Sequence, residues 1–134
     1  MAVNSYLNKD EILDMPAGKK MNQFIWWKIF DMTPTPPNND IDLLPDYSGE
    51  MSPAWSVAER INKMIFDGAL ELGSNYNYLT LECVGYTTGY AASFDCLLDH
   101  EWYEDITNYD YAARGETAPL AICRAALLAI FRLQ

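Results

Sequence analysis

One short segment concentrates the groups able to do chemistry. Residues 99–111, DHEWYEDITNYDY, hold the chain's single histidine, His100, with five carboxylates and four large aromatics, and contain no lysine or arginine. An imidazole among carboxylates is raw material for a metal site or a general base. As a metal site the segment is poor. Neighbours along an extended chain point to alternate sides, and one histidine falls short of the usual zinc sets. The ordered oxygens and turn glycine of a calcium loop are absent. As a catalytic site it lacks a partner, since no G-x-S-x-G nucleophile motif accompanies His100. Carboxylate pairs of the kind used in glycoside hydrolysis are too easily found in so acidic a chain to be informative. No phosphate loop, dinucleotide fingerprint or zinc cluster occurs elsewhere. Neither catalytic residues, nor a metal, nor a cofactor is therefore expected.

Binding reads better. Arg114 and Gly115 immediately precede a helix that should begin near Thr117. A guanidinium, a flexible glycine and the unpaired N–H groups of a helix start then lie together, which suits a phosphate or another anion. Trp102, Tyr103, Tyr109 and Tyr111 lie just upstream as candidates to stack on a planar base. The plainer alternative is that Arg114 pairs with Glu116 or Asp110 and Thr117 only caps. Arg60, Lys63 and Arg124 are further candidates, although Arg124 on an apolar helix also fits a buried structural pair.

Composition narrows the partners. The 134 residues carry nine basic and nineteen acidic side chains, a formal charge of −10. The excess is local: from Met64 to Ala113 there is no lysine or arginine, while nine acidic residues fall there. Such a field repels polyanions, so direct nucleic-acid binding is not expected. The same acidity also has a reading as a solvated face that only aids solubility. Half the residues are apolar, enough for one core in one domain spanning 1–134. No apolar run long enough for a membrane span appears, nor a signal-type start. Cys83, Cys96 and Cys123 are odd in number, lack metal-type spacing and sit among apolar residues, as reduced cysteines in a cytoplasm would.

The elements that must position these groups follow from periodicity. Asn8 and Glu11 have the spacing of a loose capping box over KDEILDM. KKMNQFIWWKIF follows as a helix with a wide apolar stripe. Residues 31–49 carry four of the seven prolines and read as a long loop. A second helix starts near Pro53, capped by Ser48 or Ser52, with Glu59 and Lys63 as an i, i+4 pair and Asp67–Gly68 as its stop. From Tyr76 the period becomes two. Tyr76–Val84 and Tyr90–Leu98 should pair as an antiparallel hairpin around GYTTG, with a third strand between Trp102 and Ala112. The last segment, TAPLAICRAALLAIFRLQ, is apolar nearly all round apart from Arg124 and Arg132 and must be buried nearly all round. The expected class is α+β, in the order α-α-β-β-β-α.

The stretches NKDEIL, AGKKM, WWKIF, PDYSGEMSPAW and APLAICRAALLA, in this order along the chain, resemble the phage ABA sandwich domain family of small bacteriophage proteins. The resemblance implies an antiparallel sheet of about three strands packed between α-helices, an α-β-α sandwich, and implies no catalytic mechanism. The proline-rich insertion and the acidic 99–110 stretch depart from the family pattern. Two functions of different kinds follow. One is a phage accessory protein that sequesters a small anionic, nucleotide-like signal of host antiviral defence in the host cytoplasm. The other is an acidic inhibitor that mimics DNA charge and docks on a basic host defence protein. A small uncharacterised enzyme ranks behind both. The high apolar content further suggests a homo-oligomer.

Overall fold

The computed structural model describes residues 7–32, 43–70, 80–83, 89–94 and 111–133. Its elements are α1 (Lys9–Asp14), α2 (Lys19–Phe24) running into a π-helical turn (Ile25–Ile29), α3 (Met51–Phe66), β1 (Thr80–Cys83), β2 (Tyr90–Ser93), β3 (Ala112–Gly115) and α4 (Ala118–Ile130).

Local signals account for most boundaries. Asn8 and Glu11 form the expected reciprocal box: Glu11 N–H donates to Asn8 Oδ1 at 2.8 Å, and Asn8 N–H to Glu11 Oε1 at 3.2 Å. α3 stops at Asp67 because Gly68 takes φ +78°, a conformation open to glycine at little cost. The start of α3 differs from expectation. Its N-cap is Glu50, without a side-chain cap, while Ser48 is buried elsewhere and Ser52 lies inside the helix. Pro53 sits in the first turn, where its missing N–H has no intrahelical acceptor to forgo. Lys63 pairs with Asp67 at 3.0 Å, and the expected Glu59 partnership is replaced by that contact.

The strands form an antiparallel sheet in the order β1-β2-β3. Thr80 stands opposite Ser93 and Cys83 opposite Tyr90, the expected hairpin; Ala92 then stands opposite Ala113 and Ala91 opposite Arg114. β3 takes in residues 112–115, so Arg114 and Gly115 belong to a strand and not to a connecting turn, while the strand expected between Trp102 and Ala112 falls almost wholly outside the described residues. The order also differs from α-α-β-β-β-α, because α1 is a helix of its own ahead of α2.

The core is organised around α4. Its residues Ala121, Ile122, Cys123 and Ala125–Ala129 are fully buried. One side of α4 packs on β2 and β3, and the other sides meet α3, α1 and the π turn. The middle layer among the described elements is therefore α4, not the sheet. The physical reason is hydrophobicity on every face of α4: only a helix with neighbours on all sides can bury such a surface. The buried face of α3, Ala54, Val57, Ala58 and Ile61, lies against it.

Candidate ligand-binding site

The expected site lies where β3 turns into α4. Gly115 is buried so close to α4 that an added Cβ would stand 2.6 Å from the Ala121 nitrogen. This glycine is required for strand and helix to approach, not for flexibility. Thr117 is the N-cap, its Oγ1 accepting from Leu120 N–H at 3.3 Å. Pro119 brings no N–H, and Ala121 N–H donates to Thr117 O at 3.1 Å. Of the first-turn donors, Ala118 N–H remains. Glu116 and Thr117 are exposed, so the tip of α4 reaches the surface.

Arg114 is also exposed, and its backbone is fixed from below. Arg124 Nη1 donates to Arg114 O at 2.7 Å, while Nε and Nη2 both donate to Met15 O, at 3.2 and 2.9 Å. Burial depresses the Arg124 guanidinium below its ordinary range, partly offset by the charges of Asp14 and Glu116. Arg124 is thus a structural residue as one of the sequence alternatives held, although backbone carbonyls take the place of a paired carboxylate. It satisfies the end of α1 and holds β3 on α4.

Tyr111 is buried, with φ +54°, and belongs to the core cluster. Trp102, Tyr103 and Tyr109, together with Asp110 and His100, lie outside the described residues. Arg114 and Gly115 at the end of β3 and Thr117 at the N-cap of α4 are brought together at one strand–helix junction. Arg60 and Lys63 lie apart from them on α3.

A polar cluster that periodicity did not single out joins three distant stretches. Asn22 Nδ2 donates to Asp46 Oδ1 at 3.0 Å, and Asn22 Oδ1 accepts from Ser48 N–H at 2.9 Å and Ser48 Oγ at 2.7 Å. Ser48 Oγ accepts in turn from Gly18 N–H at 2.9 Å. Next to this, the Cys123 thiol donates to Tyr47 O at 3.2 Å, and Tyr47 stacks on Phe30 with centroids 5.3 Å apart. Asn22 and Ser48 are buried with their polar atoms satisfied, which makes them a fastening and not an open site. Burial, and secondarily the charge of Asp46, pushes the Cys123 thiol far above its ordinary range, so it is no nucleophile. The only sequence signal was a lone Asn between Met21 and Phe24 on an apolar helix. Among the described residues no group of three His, Cys, Asp or Glu side chains is placed to hold a metal ion. No helix among them is long and apolar enough to cross a membrane.

The stretches AGKKM, PDYSG and APLAICRAALLA, scattered in sequence, thus meet through Gly18, Asn22, Asp46, Ser48 and Cys123. The family model described as Phage ABA sandwich domain matches residues 26–127. The chain belongs to the phage ABA sandwich domain family. PDYSG lies inside the matched region, APLAICRAALLA runs two residues past its end, and AGKKM lies just ahead of it. No curated protein and no solved structure matches the chain. Membership in the phage ABA sandwich domain family brings the phage context and the α+β architecture, and no assigned activity.

Proposed function

We propose that this is a phage accessory protein that binds a small anionic, nucleotide-like molecule of host antiviral defence and holds it without transforming it. The observation that carries the reading is Arg114: a cation at the surface of a strand whose carbonyl is fixed by Arg124, beside the exposed N-cap of α4. A guanidinium presents a planar fork that matches an oxyanion, which favours recognition. The withdrawal of the Cys123 thiol into the core fits binding better than covalent chemistry. Trp102, Tyr103 and Tyr109 are proposed to stack on the ligand's planar part. The host cytoplasm is the setting in which such a ligand would be met.

Isothermal titration against cyclic di- and trinucleotides and ADP-ribose derivatives tests the reading. Micromolar binding of one of them, weakened at least about tenfold by Arg114→Ala, is expected, since a charge-assisted hydrogen bond is worth roughly that much. Recovery of the ligand unchanged after unfolding the protein supports sequestration; recovery of a product overturns it. No heat from any of these ligands removes the proposal. Self-association is a separate proposal, checked by sedimentation velocity on the same samples.

A further inference from the structure

A second group of cations stands apart from the α4 tip, between the π turn and α3. Lys28 and Ile29 of the π turn face Arg60, Lys63 and Asp67 of α3 and its cap across an open groove of about 340 Å³. Asp31 completes the charged wall, and Met64 and Ala69 add apolar surface.

The π turn builds the groove. Phe30 N–H reaches back five residues to Ile25 O at 3.2 Å, and this wider turn is a local departure that recurs at functional sites. Beyond the turn, the Ile29 carbonyl accepts from Arg60 Nε at 3.2 Å. The guanidinium is therefore fixed by one edge, and among the described residues Nη1 and Nη2 donate to nothing. Its neighbours are anchored too: Lys28 Nζ stands 3.9 Å from the Trp27 ring centroid, and Lys63 Nζ lies 3.0 Å from Asp67 Oδ2. A planar fork with its outer edge open, in a groove that Lys28 and Lys63 also line, matches an oxyanion that accepts two parallel hydrogen bonds. Three cations against Asp31 and Asp67 leave the groove positive by one, in a chain whose net charge is −10.

The geometry points to a second anion site in which the Lys28–Arg60–Lys63 groove takes a compact phosphate-bearing molecule, with the Arg60 fork as its principal contact. Asp67 is the built-in competitor, because it holds Lys63 until a phosphate oxygen displaces it. This inference does not rest on the α4 tip. The competing account is that Lys28 and Lys63 merely offset the carbonyl ends of their helices.

Pyrophosphate is the probe, titrated at constant ionic strength while the Arg60 Nε–Hε resonance of the unaltered protein is followed by NMR. A saturable shift at sub-millimolar pyrophosphate is expected, with the Ile29 and Lys63 amides moving alongside. In Arg60→Lys, which keeps the charge but not the fork, binding followed at those amides should weaken on the order of tenfold. Asp67→Asn should tighten it, and Lys9→Ala and Arg114→Ala should leave it unchanged. A shift that stays linear into millimolar pyrophosphate, or undiminished binding in Arg60→Lys, overturns the groove as a site. Loss of the shift in Arg114→Ala also overturns it, by assigning the anion to the α4 tip. Absence of nucleotide binding with pyrophosphate binding intact removes the α4-tip proposal and leaves this one standing.

Discussion

At the scale of single residues, the chemistry of this protein is mostly committed to holding it together. Asn22 uses both ends of its amide, toward Asp46 and toward Ser48, so Asn22→Ala strands buried polar groups with no replacement. A loss of about 2–3 kcal/mol in urea unfolding is expected. Cys123 makes a pH prediction. Its thiol is raised from an ordinary 9.0, and Tyr47 beside it is raised from 10.0, in both cases chiefly by burial. The folded state thus keeps protons that the unfolded chain releases. Stability should be intact below pH 9 and fall as pH rises above it, by up to about 1.4 kcal/mol per unit for each group. Thermal melts between pH 8 and 10.5 check this, and Cys123→Ala should flatten the decline. A flat profile in the unaltered protein would show that other groups govern alkaline behaviour. Little of this was legible beforehand. The sequence drew attention to His100 and its carboxylates because they are adjacent, whereas Asn22 and Ser48 are 26 positions apart and meet only through the fold.

Secondary-structure elements were better announced. The box at Asn8, the stop at Gly68 and the cap at Thr117 each depend on contacts within a few residues, so sequence spacing reports them. Aromatic density drew the strand expectation to Trp102–Ala112, nearly all of which lies outside the described residues. What fixes β3 at 112–115 is pairing with β2 and the closeness to α4 that Gly115 permits, both long-range. Gly115→Ala should therefore be among the costly small substitutions. Its Cβ meets backbone and not a pliable side chain, and a loss of more than about 2 kcal/mol is expected from the forced backbone shift. Gly68→Ala makes the contrast, since only the positive φ opposes it and the surrounding space is open. A loss of about 1 kcal/mol is expected there. Denaturant titrations of the two variants side by side decide the point; equal losses would mean that close packing at Gly115 is unimportant.

Over the whole molecule, Arg124 is the link on which the layers depend. One guanidinium ties the end of α1, the middle of α4 and β3 together through Met15 O and Arg114 O. Arg124→Met keeps much of the apolar stem and removes all three bonds, leaving two carbonyls to find other donors. A drop of roughly 2–4 kcal/mol is expected. Because Arg114 would also lose its fixed backbone, any nucleotide binding at the α4 tip should weaken while pyrophosphate binding near Arg60 persists. Calorimetry on that one variant reads both effects, and equal loss at the two places would indicate general unfolding in place of local release. Sequence patterns alone announce that α4 is buried nearly all round, that two strands pair as an antiparallel hairpin, and that the chain carries the family's stretches. Each of these follows from composition or spacing along one segment. Long-range packing alone makes α4, and not the sheet, the middle layer among the described elements, spends Arg124 on carbonyls, and brings Lys28, Arg60 and Lys63 to one groove. Those outcomes turn on which surfaces meet across long separations, where the free energy of burial is settled by the whole chain and not by any local pattern.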